Sequence, residues 1–353
     1  MAILEKSGDI NAFFKIYDEE KTLLMVAAEN GHDKLVDTLL KDGAETNLRT
    51  KDDYYTYNYE DDREPESVLL NSSTALTLAA GNGEAQVVQA LLECGAADVN
   101  VDNTVPVIEA ARSSDAAIVK LLIAHGAHVN LAEPHRKDSA LGIAADRGNK
   151  EIVLDLIKAG ANIDHQNEQQ QTPLIMATAA GNTEMAMILI EHKADVNLMD
   201  ENEYTALINA VKFCTVELVI MLLENGANIT PIKDGGGDGT CLGWAASIGD
   251  NEVVTALIKH GADLNYLNIH HETALSRAAG GGHMDTVNNL LEHGAQIDLG
   301  TPVTKAAEKG EREIVALLLQ QGASAEGRRD STGDSALILA VISMTPSFGL
   351  GQF

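Results

Sequence analysis

The sequence predicts an all-α repeat solenoid, built of helix-turn-helix units joined by β-hairpin loops, and three observations carry that prediction. An anchor residue recurs at Thr22, Thr74, Val105, Ser139, Thr172, Thr205, Thr240, Thr273, Thr301 and Ser335, at intervals of 52, 31, 34, 33, 33, 35, 33, 28 and 34 residues. A period near 33 marks a solenoid, because so short a unit cannot bury its apolar face alone and must stack on its neighbours. Twenty-one residues past each of the first nine anchors stands a helix-ending position: Gly43, Gly95, Gly126, Gly160, Lys193, Gly226, Gly261, Gly294 and Gly322. Within a unit, finally, the apolar residues keep helical rather than strand spacing.

The unit that opens at Thr273 shows each element. Leu275, Ala278 and Ala279 predict a short first helix whose small side chains admit a close neighbour, and Gly282 ends it. Val287, Leu290 and Leu291 follow at i, i+3, i+4, the spacing of a second helix with one buried face. Gly294 supplies the left-handed residue past that helix. A segment of the type Ala194 to Asn197 then turns the chain into a hairpin before the next anchor.

Two stretches name the pattern. Thr172-Pro-Leu-Ile-Met-Ala177 and Gly261-Ala-Asp-Leu-Asn265 resemble the ankyrin repeat, and the resemblance covers nearly the whole chain in nine full copies. One departure is consistent: the family's His after T-P-L is replaced by Met25, Thr77, Ile108, Gly142, Ile175, Ile208, Gly243, Ser276 and Thr304, so apolar packing is expected to join adjacent repeats. The domain reading follows: residues 1–21 as an N-terminal capping half-repeat, 22–334 as one elongated array with a long insertion at 48–71, and 335–353 as a partial C-terminal repeat or cap.

Composition narrows the function classes. Among 353 residues, 45% are hydrophobic, enough for a continuous core, while aromatics are only 4% because Ala, Leu, Ile and Val do the packing. The 25 Lys and Arg stand against 53 Asp and Glu, a formal charge of −28. Such a field repels phosphate backbones and anionic lipid, so nucleic acid and membrane are not expected partners, and a protein with a basic patch is. Cys94, Cys214 and Cys241 show no C-x-x-C spacing and are odd in number, which argues against zinc and against a disulfide framework. With no signal pattern and no run of 18 apolar residues, the expectation is a cytoplasmic monomer without cofactor or metal.

Taken in order, the chain opens with Ser7-Gly8-Asp9, read as a turn between two helices, and Ile10, Phe13, Phe14 and Tyr17, read as an apolar face closing the first repeat. The surplus in the 52-residue interval holds Tyr54, Tyr55, Tyr57 and Tyr59 among seven acidic residues, a composition that suits either a finger for a basic partner or a solvated loop. Gly235-Gly-Gly-Asp-Gly239 lacks the Lys-Ser/Thr of a phosphate loop and reads as a hairpin tip. After Ser335 the pattern stops within a first helix, so the tail is either an irregular cap or the start of further chain.

The ankyrin resemblance implies a ligand on the concave face, lined by first helices and hairpin tips. Along the positions before the inter-helix glycine the early repeats are polar, while later ones offer Phe213 and Ile248, with Trp244 one turn before Ile248. Trp244, Phe213 and Ile248 form a candidate hot spot, rimmed by Asp200, Glu201, Glu203 and Tyr204; the alternative is that Trp244 fills a gap between first helices. A nucleophile at Cys241 with His270 and His271 has no orienting third group, so no catalytic residue is assigned. The resemblance also implies that Asn130, Asn197 and Asn265 are candidates for asparaginyl hydroxylation, or simply brace their hairpins. The expected function is a non-catalytic protein-interaction scaffold using the concave face and the tyrosine-rich insertion. The alternative is the substrate-targeting module of a larger protein, such as a bacterial effector acting in the cytosol or nucleus of a eukaryotic host.

Overall fold

The computed structural model describes residues 8–17, 19–52, 73–100, 105–213, 215–229 and 240–324. Tyr54, Tyr55, Tyr57 and Tyr59, Cys214, the Gly235 to Gly239 cluster and the segment from Ser335 onward lie outside the described residues. The chain forms two compact units, Met1–Ala194 and Asp195–Phe353.

The first unit opens with strands β1 (Phe13–Ile16) and β2 (Glu19–Thr22), joined after the first helix pair by β3 (Lys51–Asp52) in an antiparallel sheet of order β1-β2-β3, with Phe13 opposite Thr22 and Glu20 opposite Lys51. Five helix pairs follow: α1 (Leu23–Glu29) and α2 (Asp33–Lys41), α3 (Ala75–Gly81) and α4 (Ala85–Glu93), α5 (Pro106–Ser113) and α6 (Ala116–Ala124), α7 (Ala140–Asp146) and α8 (Lys150–Lys158), α9 (Pro173–Ala179) and α10 (Thr183–Glu191). The second unit holds four more: α11 (Ala206–Phe213) and α12 (Val216–Glu224), α13 (Cys241–Ile248) and α14 (Asn251–Lys259), α15 (Ala274–Gly280) and α16 (Met284–Glu292), α17 (Pro302–Lys309) and α18 (Arg312–Gln320). Within each unit first helices stack on first helices and second on second, as in α7 on α9 and α6 on α8.

The anchor has a physical reason. Thr22, Thr74, Ser139, Thr172, Thr240 and Thr273 are N-caps whose hydroxyl accepts the backbone N–H three residues on. Each such bond satisfies a donor the helix leaves open, at about 1 kcal/mol. Val105 has no hydroxyl to offer and is followed instead by Pro106 at the first helical position, where a missing N–H costs nothing. Thr301 keeps the anchor's place without its role: the shortened interval puts it at φ 56°, and its side chain caps nothing. The turn positions behave as their spacing predicts, and Ser114 and Lys193 adopt the left-handed conformation (φ 63° and 71°) that glycine takes elsewhere.

The expected apolar replacement of the family's His holds for Met25, Ile108, Ile175 and Ile208, all buried. At Gly142 the neighbour supplies the bulk, since a Cβ there would lie 2.9 Å from Met176 Sδ in the next repeat. Thr77 and Ser276 bond instead within their own repeat, at its helix cap: the Thr77 hydroxyl sits 3.1 Å from that of Thr74, and Ser276 Oγ accepts from Thr273 N at 2.9 Å.

The N-terminal reading needs correction. The stretch carrying Phe13 and Phe14 is a β-hairpin rather than a helix closing a half-repeat, and Tyr17, placed on its apolar face, is 93% exposed at the hairpin turn. The reason is register. Asp9-Ile10-Asn11 is another copy of Asp263-Leu264-Asn265, preceded directly by Gly8 (φ 65°) with the intervening Ala missing, so this stretch stands at the end of a unit and not in the middle of one. Asn11 confirms the assignment through its bonds, taking the N–H of Glu45 at 2.9 Å, 34 residues on.

Candidate functional site

Hairpin asparagines first tie the repeats together. Asn47, Asn100, Asn130 and Asn197 each donate to a carbonyl at the end of the next repeat's second helix or just beyond it (Ala96, Gly126, Gly160 and Gly226) at 2.9 to 3.1 Å. Each also accepts a backbone N–H two residues further on, from Asp98, His128, Asn162 and Asn228. Asn265 takes the N–H of Gln296 at 2.8 Å in the same way. Asn130, Asn197 and Asn265 therefore brace successive hairpins, and Asn47 and Asn100 are members of the set that their shared repeat position would have revealed.

These braces fix the spacing at which the first helices of the second unit present their side chains. Lys212, near the end of α11, holds its ammonium 4.5 Å from the centre of the Tyr204 ring and 4.0 Å from that of Trp244 on α13. The Arg277 guanidinium on α15 lies 5.2 Å from the same indole. One repeat further, Lys305 on α17 pairs with Glu272 at 2.5 Å. Burial raises the Glu272 carboxyl, but the hydrogen bond and charge of Lys305, the Asn268 amide and the charge of Arg277 outweigh it, and the group is held below the usual carboxylate range. The result is a ladder of rings and charges along four first helices. Each ring–cation step contributes about 0.5–1 kcal/mol where exposed and about 2 where desolvated.

Trp244 is thus half-buried and stacked by cations, closer to the gap-filling reading than to a free hot-spot side chain. Of the three candidate hot-spot residues, Phe213 and Ile248 are the ones left to solvent, 60% and 48% exposed. Tyr204 joins Trp244 through Lys212. Of the rim, Asp200 is committed to its own turn, accepting the N–H groups of Asn202 and Tyr204 at 2.9 Å, while Glu201 is exposed.

Sequence reasoning passed over Lys212 and Arg277 as ladder members. The signal was present: Trp244, Arg277 and Lys305 all stand four residues past their anchors, and Tyr204 and Glu272 one residue before theirs.

Cys241 is not placed as an activated nucleophile. It is buried, and burial pushes its thiol up to about 12 despite its own backbone N–H and the charge of Lys212. Among the described residues there is no group of three or more His, Cys, Asp or Glu placed to hold a metal, and no helix long and apolar enough to cross a membrane.

Comparison with known proteins agrees with this architecture. A family model for ankyrin repeats matches residues 55–133, 141–234 and 230–301, and a single-repeat model matches 19–51. The chain is 30% identical over 316 residues to the ankyrin repeat and KH domain-containing protein mask-1 of Caenorhabditis elegans, covering 86% of this chain and 10% of that protein. It is 39% identical over 112 residues to human ankyrin repeat and KH domain-containing protein 1, covering 30% of this chain and 4% of that one. The chain therefore matches a tenth or less of these relatives' length. Among solved structures, the human ASB11 ankyrin repeat domain superposes with a TM-score of 0.52 at 26% identity, over 69% of this chain and 99% of that one.

Proposed function

The chain belongs to the ankyrin-repeat family, and from that premise we infer that it is a protein-interaction scaffold without catalysis, taking its partner on the first-helix face of the second unit. The observation that carries this is the pair Phe213 and Ile248, left 60% and 48% exposed beside a ladder that already uses Tyr204 and Trp244. Large apolar groups on a pre-ordered surface are what a helix or peptide needs for anchorage. The charge of −28 favours a partner with a basic patch by speeding encounter. The tyrosine-rich insertion, with Tyr54, Tyr55, Tyr57 and Tyr59, is a second candidate contact on composition alone. The hydroxylation implied for Asn130, Asn197 and Asn265 would fall on residues that brace the hairpins.

The test is affinity capture from cytosol with the intact chain, with a variant carrying Phe213→Ala and Ile248→Ala, and with a deletion of Asp52 to Glu66. A partner lost with the double variant, at unchanged thermal stability, supports this face. A partner that stays on both variants overturns it. A second reading is favoured by the relatives, in which the matched repeats are a small part of a longer protein: the array then directs another domain to its target, and the reading frame of the full transcript decides it.

A further inference from the structure

We propose that Lys212 is the seat for one carboxylate of the bound segment, so that the partner presents an Asp or Glu between apolar residues that cover Phe213 and Ile248. This rests on the first-helix face of the second unit being the docking surface, and it adds the chemistry of the occupant.

The argument begins with how the ammonium is held. Lys212 lies between the rings of Tyr204 and Trp244, at 4.5 and 4.0 Å, and not against a carboxylate of the described residues. Ring faces hold a cation by their quadrupole without neutralising it, and they give its three N–H donors no lone pair in return. The ladder's other cation beyond Trp244, Arg277, stands in the field of Glu272, which is in turn paired with Lys305. Lys212 is thus a positioned, half-buried whole charge with its stem already ordered. Ordering in advance removes part of the entropic cost that makes surface ion pairs weak.

The surroundings set the rest of the pattern. Phe213, next in sequence to Lys212, ends α11, and Ile248, one helical turn past Trp244, ends α13, so the helix that carries the cation and the one that carries its indole each end in an exposed apolar side chain. Beyond Tyr204 the hairpin carries Asp200, Glu201 and Glu203. Those carboxylates repel an acidic segment and favour a basic one. The complementary ligand is a single acidic residue flanked by apolar ones, with Lys or Arg toward the hairpin end.

The experiment pans phage-displayed random dodecapeptides on the intact chain and on Lys212→Met, Lys212→Glu and a Phe213→Ala, Ile248→Ala double variant, each checked by thermal melting. The expected result is an enriched set with Asp or Glu between apolar residues, from which Lys212→Met loses the acidic preference but keeps the apolar one. Lys212→Glu should replace that acid by Lys or Arg. In a synthetic consensus peptide, Asp→Asn (or Glu→Gln) should weaken binding to the parent chain about tenfold and binding to Lys212→Met less than about twofold. Enriched peptides that depend on Phe213 and Ile248 yet show no acidic position overturn the inference and leave the docking face standing. Peptides whose binding survives the double variant overturn the docking face itself, and a failure to enrich any sequence above background counts against both.

Discussion

One repeat position, eight residues past the anchor, is treated differently in the two units. In the first unit its first three repeats carry Asn30, Asn82 and Ser113 there, and each turns its side chain back on its own helix: Asn30 donates to Val26 O at 2.8 Å, Asn82 to Leu78 O at 2.9 Å and Ser113 to Ala110 O at 3.0 Å; the last two carry the exposed Arg147 and Ala180. In the second unit the first two repeats carry Phe213 and Ile248 at the same position, which remain exposed, and the last two carry Gly281 and Lys309. Four residues past the anchor the first unit is apolar except for Glu109, which pairs with Arg112 at 2.7 Å, while the second carries Asn209, Trp244, Arg277 and Lys305, of which Trp244 stacks with Lys212. Polar groups that cap their own helix are satisfied without a partner, whereas exposed aromatic and branched side chains gain free energy only when something covers them. The scaffold is shared, and these repeats differ in which groups are left exposed.

The comparison breaks most visibly if the first unit's residues are moved into the second. Phe213→Asn with Ile248→Asn is expected to weaken partner binding by at least about tenfold, as hot-spot loss does. Thermal stability should change little, because neither group is buried; a titration against the captured partner alongside a melt measures both.

Next in size is a backbone contrast nine residues past the anchor. At Gly249 (φ 82°) a Cβ would fall on the His283 ring, whose Nε2–H donates to Ser247 O at 3.0 Å. At Gly83 (φ 78°) the nearest atom is Asp115 Oδ2 at 3.9 Å. Gly83→Ala should therefore cost about 1 kcal/mol of backbone strain, and Gly249→Ala about 2–3 kcal/mol because His283 must also move. Equal losses in denaturant melts would show that the ring is not part of the joint.

A double-mutant cycle sharpens the contrast at the anchor-plus-four position. Lys212→Met and Trp244→Leu should couple by about 0.5–2 kcal/mol, and Arg112→Met with Glu109→Gln by about 0.2–1 kcal/mol, falling further in high salt. The smallest effect concerns Glu272. Its carboxyl is depressed in the folded chain, so the stability it contributes is full above the unfolded carboxylate range near about pH 4.3 and is lost as pH falls through the lower folded value. Lys305→Met should flatten that acid-side loss, read as a smaller drop in melting temperature from pH 5 toward pH 3.

Much of this was legible from residue order. The 33-residue period, the Thr anchors and the turn glycines are local requirements: a cap needs a hydroxyl three residues before its N–H, and a left-handed turn favours glycine, so the chain must show them in sequence. Even the misread N-terminus was legible, since Asp9 to Asn11 repeats the hairpin segment seen elsewhere. The roles within the ladder were less so. Trp244 reads as a hot spot or as filler until Lys212 and Arg277 are placed against it.

By itself, then, the order of residues determined the repeat, the helix ends and the positions that must be small or apolar, because those follow from backbone geometry within one unit. Only the tertiary structure decided that an indole is clasped by cations while a phenyl and an isoleucine beside it stay open. That outcome depends on distances between side chains some 33 residues apart in the chain, which the stacking of neighbouring first helices sets and no single unit contains.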